Sequence, residues 1–127
     1  MSKVINIDKC FGMFDDTFSP KIVGELNNQL VMLVRCEGDK VPWHIHDDED
    51  EMFYVLDGVL EVQERNRNVS LHAGEMYIVR RGVEHRVVPQ DHVKLVLFEP
   101  ASIKHTGKVR SQITKKQFDR LEISGNA

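Results

Sequence analysis

The sequence predicts an all-β fold, and three observations indicate this class. Short apolar segments rich in Val, Ile, Leu, Phe and Tyr run from about residue 22 to residue 98. Turn signals, among them Asp57-Gly58 and Gln90-Asp91, separate these segments at nearly regular intervals, which is typical of a β-sandwich or barrel. No stretch of this region keeps the 3.6-residue apolar periodicity of an amphipathic helix.

Length and composition limit the domain count and the function classes. The 127 residues, 41% of them hydrophobic and 29% charged, suit one compact globular domain. The net charge of −3 provides no broad cationic surface for nucleic acid. No apolar run reaches membrane-spanning length, and the first ten residues lack the apolar core of a signal peptide. We therefore expect a cytoplasmic protein without nucleic-acid or membrane partners.

The segment from Glu51 to Glu64 predicts a β-hairpin whose register defines an interior face. Asp57-Gly58 at its centre favours a two-residue type I′ turn, since both central residues of that turn need positive φ. The alternation of side chains along the strands then places Glu51 on the interior face. The same alternation places Glu64 on that face at the far end of the hairpin, where we expect the Glu64 carboxylate to reach solvent. An unpaired buried carboxylate is unfavourable, so Glu51 needs a partner. The apolar interior positions are Phe53, Val55, Leu60 and Val62.

The two ends of the chain predict short extensions. In the segment 10–18, Phe11, Phe14 and Phe18 are spaced i, i+3 and i+7. This spacing suggests a helical turn or loop that closes one end of the barrel, but we favour simple core packing for all three. The polar segment 111–123 contains a capping-box pattern, Thr114-x-x-Gln117. We expect this segment to form either a short helix or an ordered tail. Cys10 and Cys36 are isolated, and we expect them to be buried free thiols.

Three of the six histidines and one glutamate form a candidate metal site. His44 and His46 are two residues apart, so on an extended chain their imidazoles project to one side. His85 opens a segment in which Val87 faces inward, and alternation turns His85 inward as well. Together with Glu51 they suit a divalent transition metal, with Mn, Fe, Co, Ni, Cu and Zn all left open. We expect the other histidines at the surface, with His105 nearest a pocket mouth; they are His72, His92 and His105.

Two motifs in register give the chain a resemblance to the cupin superfamily. The first cupin motif reads Gly, five residues, His-x-His, three or four residues, Glu, six residues, Gly. The segment GDKVPWHIHDDEDEMFYVLDG, residues 38–58, fills every fixed position. In the second motif the ligand histidine is kept as His85, whereas Arg80 occupies the proline position and Pro89 the asparagine position. The resemblance covers about residues 22–99 and is closest to small cupins called mannose-6-phosphate isomerase-like.

The resemblance implies a fold, a site and an assembly. The fold is a double-stranded β-helix, or jelly-roll barrel, with its core at about 22–99 of a single cupin domain spanning residues 1–127. Short N- and C-terminal extensions flank that core. The implied metal ligands are His44, His46, Glu51 and His85, and the implied assembly is a homodimer.

Two functions remain open at the level of sequence. One is a small-molecule metalloenzyme of isomerase or oxygenase type with a mononuclear three-histidine, one-glutamate site. The other is a non-catalytic cupin that binds or senses a small ligand, since the fold does not fix the function. The sequence assigns no general acid or base.

Apolar residues on both faces of the predicted strands require a second covering layer. Tyr77, Trp43 and Tyr54 are expected on the outer faces, where Met52 and Leu56 also lie. Large exposed apolar patches mark interfaces. Either a partner subunit or the N-terminal segment could therefore cover them.

Overall fold

The computed structural model describes residues 2–103 and 105–123. Strands dominate its regular structure, and no helix among these residues is both long and apolar enough to cross a membrane. The elements are α1 (Ile7–Phe11), β1 (Lys21–Leu26), β2 (Gln29–Cys36), β3 (Glu51–Glu64), β4 (Arg67–Leu71), β5 (Met76–Val79), β6 (His85–Pro100) and β7 (Asp119–Arg120).

The strands form one sheet that closes into a jelly-roll barrel, which confirms the predicted fold class. Their order is β4-β3-β6-β2-β1-β7, and β5 pairs with β3 beside β4. All pairs are antiparallel except β1 with β7. The longest ladder joins β3 to β6, from Met52 opposite Phe98 to Glu64 opposite His85.

The predicted hairpin at Asp57-Gly58 is wrong, because β3 runs through these residues without reversing. The β3–β6 ladder shifts register on both sides of Asp57, and Gly58 has a φ of 88°. The bulge there changes the alternation as a two-residue turn would, so the predicted interior face is confirmed. All four of its residues are at most 5% exposed; they are Phe53, Val55, Leu60 and Val62.

A second predicted turn, at Gln90-Asp91, is also absent. The strand β6 continues through both residues, with Asp91 at a φ of 58°. Gln90 pairs with Val59, the residue after Gly58, so both long strands are irregular at the same level of the ladder. This shared irregularity bends the ladder and lets its two halves face each other across the core.

The N-terminal phenylalanines pack in the two apolar clusters, as expected, and they do not act together to close one end of the barrel. The helix ends at Phe11, so the helical spacing does not continue to Phe18, whose φ is 52°. Phe18 joins the main core inside the barrel. Phe11 and Phe14 pack with Leu33 in a second apolar cluster. The guanidinium of Arg35 fixes this segment by donating to the carbonyls of Phe11 (2.6 Å) and Phe14 (3.0 Å).

The C-terminal segment is an ordered tail rather than a helix. Thr114 does not cap a helix; its hydroxyl accepts from the backbone N–H of Ser111 at 2.9 Å. The tail returns to the barrel as β7, in which Asp119 lies opposite Lys21 of β1. Cys10 and Cys36 are buried and free, as expected.

Replacing Gly58 tests the bend. In Gly58→Ala a Cβ would collide with the carbonyl oxygen of His92, in addition to the strain of positive φ. We expect a loss of about 3 kcal/mol in the free energy of unfolding, measured by chemical denaturation. Gly74→Ala is the matched control, because Gly74 has a φ of 87° and no neighbour within 4 Å. It should lose only about 1 kcal/mol, and equal losses would contradict a close approach at Gly58.

Candidate metal centre

The segment around His44 and the start of β6 are joined by a single backbone bridge. The N–H of His44 donates to the carbonyl of His85 at 2.9 Å, and the N–H of His85 donates to the carbonyl of His44 at 2.9 Å. The residues 44–46 are not a regular strand, yet the expected alternation holds. His44 and His46 are buried, whereas Ile45 between them is exposed.

The two remaining predicted residues complete a compact buried group. Glu51 begins β3 and His85 begins β6, and both are almost inaccessible to solvent. The Oε1 atom of Glu51 lies 3.3 Å from Nε2 of His85 and 3.7 Å from Nε2 of His46. With His44, each residue offers one ligand atom, and these atoms all lie within 4.8 Å of one another. The group could therefore hold a metal ion.

Backbone carbonyls orient two of the imidazoles. Nδ1 of His44 lies 2.8 Å from the carbonyl oxygen of Pro42, and Nδ1 of His85 lies 2.9 Å from that of Val83. A carbonyl oxygen only accepts, so each Nδ1 carries the proton and donates. With Nδ1 protonated, Nε2 is the atom of each ring that is left to bind a metal, and in His85 this atom gives up its contact with Glu51 in order to do so. Such carbonyl partners fix the rings of metal-binding histidines.

The titration of the group reflects burial and mutual contact. Burial, aided by the neighbouring His85, lowers the pKa of His44 to about 4, and burial also lowers the pKa of His46. Burial is the largest single influence on His85 and opposes its charge, but the hydrogen bond with Glu51, the negative charge of Glu51 and the Val83 carbonyl together outweigh burial and raise the pKa of His85. Burial likewise opposes ionisation of Glu51, yet hydrogen bonds from Glu99 and His85 hold its pKa at about 2. Glu51 is thus a carboxylate among imidazoles.

One buried nitrogen has no partner, and this observation fits a metal. Nε2 of His46 makes no hydrogen bond with any described residue. An unsatisfied buried polar atom costs about 1–3 kcal/mol, so such atoms need an explanation. A divalent transition ion accepts three imidazole nitrogens and one carboxylate oxygen, and it would satisfy this atom.

Comparison with known proteins decides the family. A family model described as "Cupin domain" matches residues 31–99. The chain belongs to the cupin family. A solved structure of a cupin-2 domain containing protein from Shewanella frigidimarina NCIMB 400 is 39% identical with a TM-score of 0.74, covering 76% of this chain and 94% of that chain.

Two further relatives show how widely the likeness extends. The protein NMB1881 from Neisseria meningitidis is 25% identical with a TM-score of 0.69, and the match covers 77% of this cupin and 99% of that chain. The uncharacterized protein YdbB from Bacillus subtilis (strain 168) is 29% identical over 87 residues, 68% of this cupin and 76% of YdbB.

A fifth buried polar side chain, that of Glu99, adjoins the group of four, and the sequence reasoning missed it. Glu99 is fully buried, and its carboxyl group makes a hydrogen bond with Glu51. Burial and the charge of Glu51 raise the pKa of Glu99 well above its ordinary value of 4.5. Two buried carboxyl groups in contact share one proton, and Glu99, whose pKa is the raised one, holds it and donates to Glu51. Alternation from Leu95 and Leu97 predicts this inward position, which is the signal that could have found it.

Other polar residues lie close to the expected places. His72 is exposed, and His92 is half-buried with Nε2 3.0 Å from the guanidinium of Arg35. His105 lines a cavity of about 50 Å³ beside His44. It therefore lies closer to the four-residue group than the expected surface position.

The expected outer-face position of Tyr77 is wrong. Tyr77 lies opposite Phe53 in the β3–β5 ladder, so it shares the interior face and packs against the main core. Its hydroxyl donates to the carboxylate of Glu64 at 3.0 Å. This contact gives the inward-turned Glu64 a partner.

The raised pKa of Glu99 predicts how the free energy of unfolding changes with pH. Above pH 4.5 the unfolded chain releases the Glu99 proton while the folded chain keeps it, so stability falls as pH rises. Glu99→Gln cannot ionise and still donates to Glu51. In metal-free protein it should be more stable than wild type at pH 7, by about 1.4 kcal/mol for each unit of raised pKa.

The same comparison at low pH provides the control. At pH 4 the unfolded wild-type chain also keeps most of its Glu99 proton, and the advantage of Glu99→Gln should disappear. Urea denaturation at pH 4 and pH 7 measures the two differences. A Glu99→Gln protein that is less stable than wild type at pH 7 would contradict a protonated Glu99.

Proposed function

We propose that this cupin is a mononuclear metalloprotein that acts on a small polar molecule, with chemistry of isomerase or oxygenase type. The proposed ligands are His44, His46, Glu51 and His85. The carrying observation is the unpartnered, buried Nε2 of His46 within this group of four. When bound, a divalent transition metal supplies Lewis-acid or redox chemistry.

The protein's own contribution is to orient and shield the site. The carbonyls of Pro42 and Val83 hold the rings of His44 and His85, and Glu99 holds its proton against the carboxylate of Glu51. Glu99 is thus a positioning residue. The adjoining cavity of about 50 Å³ has largely apolar walls, including Phe53 and Leu97, which limit access of water.

One observation favours a second candidate, a non-catalytic cupin that binds or senses a small ligand. Besides the proposed ligands His44 and Glu51, the only side chains with acid, base or hydroxyl groups among the described residues lining this cavity are Cys36, His105 and Thr106. Burial raises the pKa of Cys36 to about 12, so its thiol is inert as a nucleophile. Few groups therefore remain to move protons on a substrate.

Metal content tests the proposed site. Purified protein, loaded in turn with Mn, Fe, Co, Ni, Cu and Zn and then dialysed, should hold about one ion per chain by inductively coupled plasma mass spectrometry. His46→Ala removes one ligand and should weaken binding at least tenfold, because a ligand is lost without disturbing the bridge at His44. His72→Ala, a change at an exposed histidine, should bind as wild type does.

Thermal denaturation supplies the second readout of metal binding. A metal present at 100 times its Kd adds about 2.7 kcal/mol to stability. A wild-type chain that retains none of these metals and gains no thermal stability from any of them would overturn the proposal. With metal bound, oxygen uptake with catechols and diketones, or interconversion of aldose and ketose sugars, separates the enzyme from the binding protein.

We also propose a homodimer. The N-terminal segment covers Leu56 and Val96 on the outer face, so a partner is not needed there. Beyond that cluster, a row of half-exposed apolar side chains crosses β5, β3 and β6. Its members pair directly across the ladders and so share one face; they are Met52, Tyr54, Met76, Ile78 and Phe98.

Light scattering at micromolar concentration tests this interface. Wild type should show the mass of two chains, and Met76→Glu should shift it towards one, because a charge would be placed on the contact face. Leu26→Glu is the matched control at another exposed apolar residue and should remain dimeric. A wild-type monomer would remove the proposal.

A further inference from the structure

A second, larger cavity lies between the barrel and the C-terminal segment. Its volume is about 600 Å³, within the range of small-molecule sites. Ile22 of β1 and Leu30 of β2 form its barrel side. The opposite wall comes from residues 101–118, apart from the undescribed residue 104.

The charged side chains that line this cavity are all basic among the described residues. None of the described residues that line it is an Asp or Glu, and its titratable side chains are His105, Lys108, Arg110, Lys115 and Lys116. Nζ of Lys115 lies 2.6 Å from Asp119, and Nζ of Lys108 lies 3.4 Å from Asp47. Arg110 and Lys116 form no ion pair with the described residues. Two uncompensated cations therefore border the space.

His105 is the wall between this cavity and the metal centre. It lines both the large cavity and the small one that also touches His44 and Glu51. Its Nδ1 accepts from the backbone N–H of Lys115 at 3.0 Å, and its ring lies edge-on to Phe118 at 5.7 Å between centroids. Burial lowers the pKa of His105 to about 4, so the ring is neutral at pH 7 and its proton is on Nε2. His105 thus offers a fixed N–H donor.

The C-terminal segment is packed firmly against the metal centre. Thr106 is fully buried, and its hydroxyl contacts that of Thr114 at 2.7 Å. Gly107 has a φ of 57°, and a Cβ there would collide with the carbonyl oxygen of Ile45. Ile45 separates His44 from His46, so the cavity wall rests directly on the histidine segment.

The other approach to the metal centre carries the opposite charge. A pocket of about 130 Å³ beside His46 is lined by Asp47, Asp48 and Glu49, with Lys108 as the one Lys or Arg among the described residues that line it. Acidic groups disfavour an anion there, whereas the basic cavity attracts one. The two pockets therefore differ in charge, and the basic cavity favours an anion.

We propose that the cavity beneath the C-terminal segment binds the anionic group of a small organic carboxylate or phosphate ester. Arg110 and Lys116 provide the charge, and Nε2–H of His105 donates to an oxygen of the ligand on the side of the metal centre. That such an anion is the substrate class of that centre rests on the proposed function. The anion site itself does not.

Anion titration of metal-free protein tests the site alone. The chelator-treated chain is titrated at constant ionic strength with inorganic phosphate, with malonate and with neutral glycerol, and the amide NMR signals of Gly107, Val109 and Thr114 are followed. At least one anion should give saturable shifts and glycerol none. Saturation by phosphate alone indicates a phosphate ester, and saturation by malonate alone indicates a carboxylate.

Variants assign the effect to the cavity. The double variant Arg110→Gln/Lys116→Gln should weaken anion binding at least tenfold, whereas Lys9→Gln/Lys40→Gln, outside the cavity, should change it less than twofold. His105→Phe should weaken it about fivefold, and His105→Gln should retain it because the amide still donates. Amide spectra of each variant report that it is folded.

Three results would overturn the proposal: no saturation with either anion, an equal response to glycerol, or unchanged affinity in Arg110→Gln/Lys116→Gln. Because metal is absent throughout, these outcomes are independent of the metal-content experiment. Anion binding by a chain that holds no metal would keep this site and remove the proposed function.

Discussion

The bend in the β3–β6 ladder is the constraint on which the rest of this cupin depends. Glu51 begins β3 beside one end of the ladder, whereas His85 pairs with Glu64 at the other end. In a straight ladder these two levels would be roughly 40 Å apart at about 3.3 Å per residue. The carboxylate of Glu51 is nevertheless 3.3 Å from the imidazole of His85. Gly58 and Asp91 allow this approach by bending both strands at one level.

The bend places polar side chains in an apolar interior, and the local structure then provides partners for most of them. Carbonyls of Pro42 and Val83 accept from two imidazoles, and protonated Glu99 donates to Glu51. Two buried side-chain atoms among the described residues make no hydrogen bond: Nε2 of His46 and Oε2 of Glu99. An unpartnered imidazole nitrogen among side chains that are held by hydrogen bonds is the arrangement expected of a preorganised ion site.

The alternation of apolar residues correctly predicted the interior face of β3, but it did not predict whether the chain reverses direction at Gly58. The interior positions of β3 were correct although the hairpin was wrong, because a bulge and a two-residue turn both place Gly58 at positive φ and shift the alternation alike. Only the long-range pairing with β6 distinguishes them. The approach of His44, His46, Glu51 and His85 followed from alternation and motif spacing. Glu99 follows from the same alternation, but its proton depends on Glu51, a contact that spacing does not reveal.

The ends of the chain were harder to predict, since their contacts are made with distant strands. The phenylalanines diverge once α1 ends, and the tail is ordered by β1 and by the loop at Ile45 rather than by its own helical propensity. His105 lines the small cavity beside His44 and Glu51 for this reason, although its neighbours in sequence resemble a surface turn.

Anomalous X-ray diffraction from crystals of metal-loaded protein tests the central claim most directly. Data collected on both sides of the metal's absorption edge should show one peak per chain, about 2.0–2.2 Å from Nε2 of His44, His46 and His85 and from an oxygen of Glu51. A peak coordinated by other residues, or no peak in crystals of protein loaded with metal, would contradict the account.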